Sequence, residues 1–203
     1  MLKRILGRFR KPSGATEASG PLRVYMHPVE HAQLIAIMEA AQPRRILEWG
    51  CGGSTREFCE RYPFVEQVVS IEHNAEWAKR VREAIPSPRL SLYHEPPTVP
   101  EPPMFGDKKT YHAWMKRCED DPAVLASYVK KPATLGLEFD LVLVDGRARV
   151  HCLREGYELL RPGGLLLIHD AQRTDYHPTL HSLGRAVFFE PYGNGQFCLV
   201  RKG

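Results

Sequence analysis

Residues 44–55, RRILEWGCGGST, decide the fold. Arg44 to Trp49 reads as a buried strand, because Ile46, Leu47 and Trp49 are large and apolar and the next four residues punctuate the chain. Gly50 to Gly53 is a tight bend, and Ser54 is placed to cap a helix running through Phe58. Glycines let a backbone approach a ligand closely, and the first amides of a helix have no internal partner. A second apolar strand, Val65 to Ile71, ends on Glu72, 22 residues beyond Gly50. A carboxylate at that point can accept both hydroxyl protons of a ribose, which makes this a nucleoside site. A dinucleotide fingerprint would place glycine at position 55, where Thr55 stands, and no Gly-Lys-Ser/Thr ending marks a phosphate loop.

The rest of the chain alternates helix and strand. Val29 to Ala41 is a helix entered through Pro28, with Leu34, Ile35, Ile37, Met38 and Ala41 on one side. Asn74 caps a helix whose Trp77, Ala78, Val81 and Ile85 share a face. Leu90 to His94 is a short third strand. Phe139 to Val144 is almost continuously apolar, as expected of a strand covered on both faces. Val150, Leu153, Tyr157 and Leu160 mark an amphipathic helix stopped by Pro162-Gly163-Gly164, and Leu165 to Ile168 is the next strand. Ala186 to Phe189 and Phe197 to Val200 flank a turn-rich loop and read as a hairpin. The expectation is an α/β, Rossmann-like fold: a mostly parallel seven-stranded sheet, helices on both faces, and a C-terminal antiparallel hairpin.

The segment 95–138 breaks the alternation. It is Pro-rich yet holds two helical patterns, one with Tyr111, Trp114, Met115 and Cys118 inward, the other opening at Asp121-Pro122 with Val124, Leu125, Tyr128 and Val129 inward. Beside strand ends, such an insertion is a lid or substrate wall, with a passive embellishment or an oligomer contact as the alternative. The expected organisation is a basic segment and linker at 1–21 and one domain at 22–203 carrying this insertion.

The chain carries 28 basic and 24 acidic residues over 203. Lys3, Arg4, Arg8, Arg10 and Lys11 place five of the positive charges in the first eleven residues with no acid, so the remainder has a net charge of −1. A body without positive excess does not suit a nucleic-acid acceptor. Leu2, Ile5, Leu6 and Phe9 at helical spacing among those cations suit weak contact of residues 1–11 with an anionic membrane surface. Cys51, Cys59, Cys118, Cys152 and Cys198 are odd in number and never spaced as CxxC, against a disulfide framework or zinc knuckle. With no signal-peptide pattern, the expected compartment is the cytoplasm.

As a set, ILEWGCGGST, VVSIEHN, FDLVLVDG and LLRPGGLLLIHD resemble the motifs of the class I S-adenosylmethionine-dependent methyltransferases. The resemblance covers roughly 44–94 and 139–170. It implies that Glu48, Gly50, Cys51, Gly52, Gly53, Ser54 and Thr55 surround the amino-acid end of S-adenosylmethionine. It implies that Glu72 holds the ribose beside His73 or Asn74, with His94 and Glu95 near the adenine and Asp145 on the cofactor side. LSLYHE departs from the family's usual adenine-contacting Gly-Asp pattern.

Asp145 and the pair His169-Asp170 close the fourth and fifth strands, where polar groups are costly unless used. Their placement is similar to the metal-binding acids of catechol-type O-methyltransferases, which implies a catalytic site for Mg²⁺ or Mn²⁺ on Asp145, His169 and Asp170. The metal-free alternative makes Asp145 or His169 a general base. Arg147 and Arg149 are placed to bind an anionic acceptor or to serve as helix-entry charge. His27-Pro28-Val29-Glu30-His31 matches the H-x-x-E-H pattern, but Pro28 puts His27 outside the helix, so zinc peptidase chemistry is not expected. The function expected is methyl transfer to a small-molecule or glycan-type hydroxyl. Left open are a nucleoside-binding module without turnover and an aminopropyltransferase-like enzyme.

Overall fold

The computed structural model describes residues 22–103, 106–193 and 195–203; the basic segment and linker at 1–21, with the membrane-surface expectation, lie outside the described residues. Helix α1 (Pro28–Ala41) leads into β1 (Arg45–Trp49), α2 (Gly53–Glu60), β2 (Gln67–Glu72), α3 (Ala75–Ala84) and β3 (Leu90–His94). The insertion supplies α4 (Lys108–Asp120), α5 (Ala126–Lys130) and a 3₁₀ turn, Lys131–Leu135. Then come β4 (Phe139–Val144), α6 (Arg149–Leu159), β5 (Leu160–Ile168), α7 (His177–Leu183), β6 (Ala186–Phe188) and β7 (Cys198–Arg201).

The seven strands form one sheet in the order β3-β2-β1-β4-β5-β7-β6, parallel except for β7, which runs antiparallel to both β5 and β6. Alternation along each strand feeds two cores. Ile46, Val68, Leu141, Leu143 and Leu167 meet Leu34 and Met38 of α1, Phe58 of α2 and Val81 of α3 on one face. Leu47, Trp49, Val69, Val142 and Leu166 meet Tyr111, Trp114, Tyr128, Cys152 and Leu180 on the other. Each fully buried side chain of this size stabilises the fold by about 1.5–3 kcal/mol. The insertion is therefore part of one face of the core. No described helix is long and apolar enough to cross a membrane.

Three local expectations are corrected. Helix α2 starts at Gly53, not after Ser54: Gly52 is the N-cap, and its N–H donates to Thr55 Oγ1 at 2.7 Å. Pro162-Gly163-Gly164 does not separate α6 from β5. β5 begins at Leu160, and the register jumps from Phe139↔Leu160 to Leu141↔Leu165, so the glycines make an irregularity inside the strand, with Gly163 at φ +80°. Asp121-Pro122 does not open a helix; Val124 and Leu125 are buried from a turn, and α5 starts at Ala126.

β1 lies between β2 and β4, and successive strands proceed outward from it in both directions. Such a switch in strand order leaves a crevice at the carboxyl ends, where open α/β sheets bind ligands.

Candidate active site

The bend after β1 is held by contacts that only glycine permits. Gly50 sits at φ +92°, and a Cβ there would lie 2.9 Å from Gly146 Cα and N. The carboxyl ends of β1 and β4 are thus pressed together, and Asp145 N–H donates to Trp49 O at 3.0 Å. Arg56 is the first residue of the helix start seen to donate back, to Gly52 O at 3.2 Å. The amides of Gly53, Ser54 and Thr55 precede that ladder. Glu48 is fully buried beneath the bend rather than lining it. Its carboxylate accepts from Ser54 Oγ, from Thr55 Oγ1 at 2.5 Å and from Ser70 Oγ at 2.9 Å. Burial pushes its pKa up to about 7 despite the three hydroxyls. Ser54 and Thr55 accordingly point inward, and residues 51–55 of the bend are all buried. Arg23 and Val24 cross directly over Gly53, where a Cβ would meet their backbone at 2.2–2.3 Å.

Glu72 faces this bend. Its Oε2 accepts from Cys51 N–H at 3.3 Å, and its Oε1 from the N–H groups of His73 and Asn74 at 2.9 Å each. Burial raises a carboxyl pKa, but the His73 contact and these amides hold Glu72 below the usual range. Gly50 to Gly53 and Glu72, separate in sequence, form one polar cradle. Cys51 is buried, and burial first, then Glu72, pushes its thiol far up, so it is no nucleophile.

The insertion closes onto this cradle. Glu101 accepts from Asn74 Nδ2 at 3.0 Å and from Tyr111 Oη at 3.1 Å, and lies 3.4 Å from His73 Nε2; His73 Nδ1 is 2.9 Å from Glu72 Oε1. The His73 ring stacks on Trp114 at 5.9 Å and meets Tyr128 edge-on at the same distance. Burial alone would lower the His73 pKa, but Glu101 and Glu72 raise it to about 9. Burial would raise Glu101, but His73 and Asn74 bring it to about 2. His94 is exposed, its Nε2 3.1 Å from His73 O, and Glu95 lies 3.5 Å from Lys131 Nζ.

Asp145, His169 and Asp170 do converge, with potential ligand atoms within 4.8 Å of one another. These groups also have other partners. His169 Nδ1 lies 3.1 Å from Asp145 Oδ1, and its Nε2 lies 3.1 Å from Glu30 Oε1. Burial opposes a charge on this ring, but Asp145, Asp170 and Glu30 raise its pKa to about 9. Arg149, 5% exposed, bridges the two aspartates at 3.1 Å and 3.2 Å and donates from Nε to Gly146 O and from Nη1 to His169 O. Burial would raise Asp145, but His169 and Arg149 hold it low. A divalent ion requires a neutral imidazole with a free nitrogen and unshared carboxylates. As these side chains stand, with His169 between two carboxylates and Arg149 between two aspartates, a divalent ion would have to displace Arg149 and a proton of His169 to be seated here. Ala148 at φ +51° and Asp170 at φ +62° flank the cluster, two non-glycine residues in the left-handed region.

Glu30 is the residue sequence reasoning missed. It lies inside the H-x-x-E-H pattern, whose histidines part company: His27 caps α1 and stacks on Tyr192 at 5.6 Å, while His31 Nε2 is 2.7 Å from Glu57. Glu30 itself is 2% exposed, accepts from His27 N–H at 3.1 Å and reaches His169. Its sequence signal was membership of that pattern, which pointed to the border of the acceptor pocket but not to His169. Glu101 and Tyr111 were likewise absent from the expected set.

No family model and no curated protein sequence matches the chain. Solved structures match in fold. A methyltransferase-like protein from Silicibacter pomeroyi is 23% identical, with a TM-score of 0.59 over 90% of each chain. An O-methyltransferase from Bacillus cereus, solved with S-adenosylhomocysteine, is 15% identical, with a TM-score of 0.60 over 87% of this chain and 82% of that one. The Thermus thermophilus 16S rRNA N2 G1207 methyltransferase, solved with S-adenosylmethionine and guanosine, is 15% identical, with a TM-score of 0.58 over 88% of this chain and 44% of that one. The fold is the Rossmann-like fold of the class I S-adenosylmethionine-dependent methyltransferases.

Proposed function

We propose that this chain is an S-adenosylmethionine-dependent methyltransferase acting on a small-molecule or glycan-type hydroxyl. The observation that carries the reading is the cradle formed by the glycine bend and buried Glu72, joined by the bond from Cys51 N–H. It lies at the strand-order switch of a fold whose B. cereus neighbour was solved with the demethylated cofactor. Glu72, Asn74 and His73 would hold the ribose, while the backbone of Gly50 to Gly53 and the first amides of α2 would hold the amino-acid end. Glu48, Ser54 and Thr55 support the bend from beneath. When bound, S-adenosylmethionine supplies a methyl group already activated by its sulfonium.

What remains for the protein is to align the acceptor and take its proton, and alignment alone can supply several kcal/mol of barrier reduction. Asp145 Oδ1 is engaged by His169 and Arg149, which leaves Oδ2 to accept from the acceptor hydroxyl. His169 and Arg149 fix Asp145 in place.

Calorimetry with S-adenosylmethionine, S-adenosylhomocysteine, the decarboxylated cofactor and NADH tests the cofactor. Saturable binding of the first two is expected; binding of NADH alone overturns the reading. A hydroxyl-acceptor screen with labelled methyl donor then tests turnover. Preference for the decarboxylated cofactor would favour aminopropyl transfer, and cofactor binding without label transfer a binding module.

A further inference from the structure

The two arginines after β4, alike in sequence, have opposite fates. Arg149 is buried and spent on Asp145, Asp170 and two carbonyls. Arg147 has no carboxylate oxygen within 4.0 Å among the described residues. Its Nη2 donates to Tyr111 Oη at 2.9 Å, and that hydroxyl donates onward to Glu101, itself engaged by His73 and Asn74. Arg147 Nε is buried with no partner. A buried donor left unpaired costs about 1–3 kcal/mol, and such a group calls for a partner that completes it.

The position of Arg147 says where that partner sits. It is the second residue after Asp145, on the far side of Gly146, whose backbone touches Gly50 of the bend. Tyr128 Oη lies over Gly146, 2.0 Å from where a Cβ would be, and accepts from Arg147 N–H at 3.4 Å. The guanidinium carbon lies 5.9 Å from the Tyr111 ring centre. Tyr111 of α4 and Tyr128 of α5 thus hold Arg147 two residues from Asp145, whose own carboxylate is already matched by Arg149 and His169. A planar guanidinium with unused N–H groups, fixed by a tyrosine, has the geometry for a planar or tetrahedral oxyanion.

We propose that Arg147, positioned by Tyr111, recognises a carboxylate or phosphate on the acceptor, so that the enzyme is specific for acidic hydroxyl compounds. The assignment rests on the methyltransferase reading and adds the acceptor class to it. It also gives the insertion a purpose, since Tyr111 and Tyr128 belong to that segment.

The test uses full-length protein saturated with S-adenosylhomocysteine, titrated with benzoate, with inorganic phosphate and with neutral benzamide, following the arginine Nε–H signals by ¹H–¹⁵N NMR. Expected is a saturable shift of one Nε–H signal with benzoate or phosphate and not with benzamide. That shift should vanish in Arg147→Met, weaken several-fold in Tyr111→Phe and persist in part in Arg147→Lys as competition read by calorimetry. A signal that no anion moves, or that chloride moves equally, overturns the proposal. So does anion binding seen only with decarboxylated S-adenosylmethionine, because the cofactor's own carboxylate would then be the occupant. In turnover, a hydroxybenzoate should be methylated at least tenfold more efficiently than its amide, and Arg147→Met should erase the difference. Efficient methylation of the amide leaves the methyltransferase reading standing and ends this one; failure to bind S-adenosylhomocysteine ends both.

Discussion

Glu30 and His169 stand 139 residues apart in the chain and 3.1 Å apart in space, and both are buried. The contact ties the N-terminal helix to the end of β5 and, through the other ring nitrogen, to Asp145. A buried imidazolium left with one carboxylate fewer is costly, at about 1–3 kcal/mol. Glu30→Gln keeps the shape and an oxygen for the His27 amide but removes that charge. It should lower Tm by a few to about ten degrees, at roughly 2–4 °C per kcal/mol for a domain of this size. Because the folded His169 pKa is raised to about 9, its contribution is full below the unfolded value near 6.5 and lost as pH rises through 9. The variant should lose its alkaline limb at lower pH. Melting curves at pH 6 and pH 9 check this, and an identical fall in both proteins would show that Glu30 does not hold the ring.

His73 and Glu101 form the second switchable contact, between the insertion and the cofactor cradle. Glu101, brought down to about 2, contributes fully above its unfolded pKa near 4.5, and that contribution is lost as pH falls through 2. His73, raised to about 9, contributes fully below 6.5, and its contribution is lost as pH rises through 9. The contact should thus be strongest between about pH 4.5 and 6.5. The protection factors of α4 amides, taken relative to intrinsic exchange at each pH, should peak in that window in the wild-type chain and lose that maximum in Glu101→Gln. Equal exchange in the two proteins at pH 5.5 would refute the latch.

Much of this was legible in the sequence. The glycine bend and the acid 22 residues beyond Gly50 announced the cradle, and apolar runs announced the buried strands. What escaped notice depends on distant partners. Ser54 looked like a helix cap because serine usually is one, yet Glu48 claims its hydroxyl, and the cap is Gly52, whose N–H donates to Thr55. Glu30 was noticed only as part of the H-x-x-E-H pattern, because its partner, His169, lies beyond the reach of any local pattern. Asp145, His169 and Asp170 read as a ligand set and do converge, but no local pattern revealed that Arg149 folds in among them. Glu101 sits in a proline-rich stretch without periodicity, and no spacing rule points to it.

Glu72 is the test of the cradle itself. Hydrogen bonds to a charged group contribute about 1.5–3 kcal/mol. Glu72→Gln should therefore weaken S-adenosylmethionine binding by roughly ten- to a hundredfold in calorimetry. Because Glu72 also accepts from Cys51, His73 and Asn74, the variant's Tm must be recorded beside its affinity. A folded variant that binds within twofold of wild type would remove the ribose assignment.

Trp114 measures how far the insertion belongs to the core. It is 4% exposed, packs among Tyr111, Tyr128 and Leu47, and donates from Nε1 to Val99 O at 3.2 Å. Trp114→Ala should destabilise the whole domain by about 3–5 kcal/mol in a single cooperative transition. A passive embellishment would instead melt separately at lower denaturant and leave the main transition in place.

The metal question turns on Arg149. An ion seated among Asp145, His169 and Asp170 would have to displace a buried guanidinium from both aspartates and take a proton from an imidazole with a pKa of about 9. Each displacement sets charge-assisted bonds, about 1.5–3 kcal/mol apiece, against the gain from coordination. Mn²⁺ added at micromolar concentration should therefore keep its full free-ion paramagnetic resonance signal in the presence of the protein. Methyl transfer should run equally fast in EDTA and in Mg²⁺. Arg149→Met unpairs both aspartates, so it is the variant in which Mn²⁺ binding should first appear. Attenuation of the signal by the wild-type chain, with activity lost on chelation, would restore the catechol-type arrangement and displace the role given to Asp145.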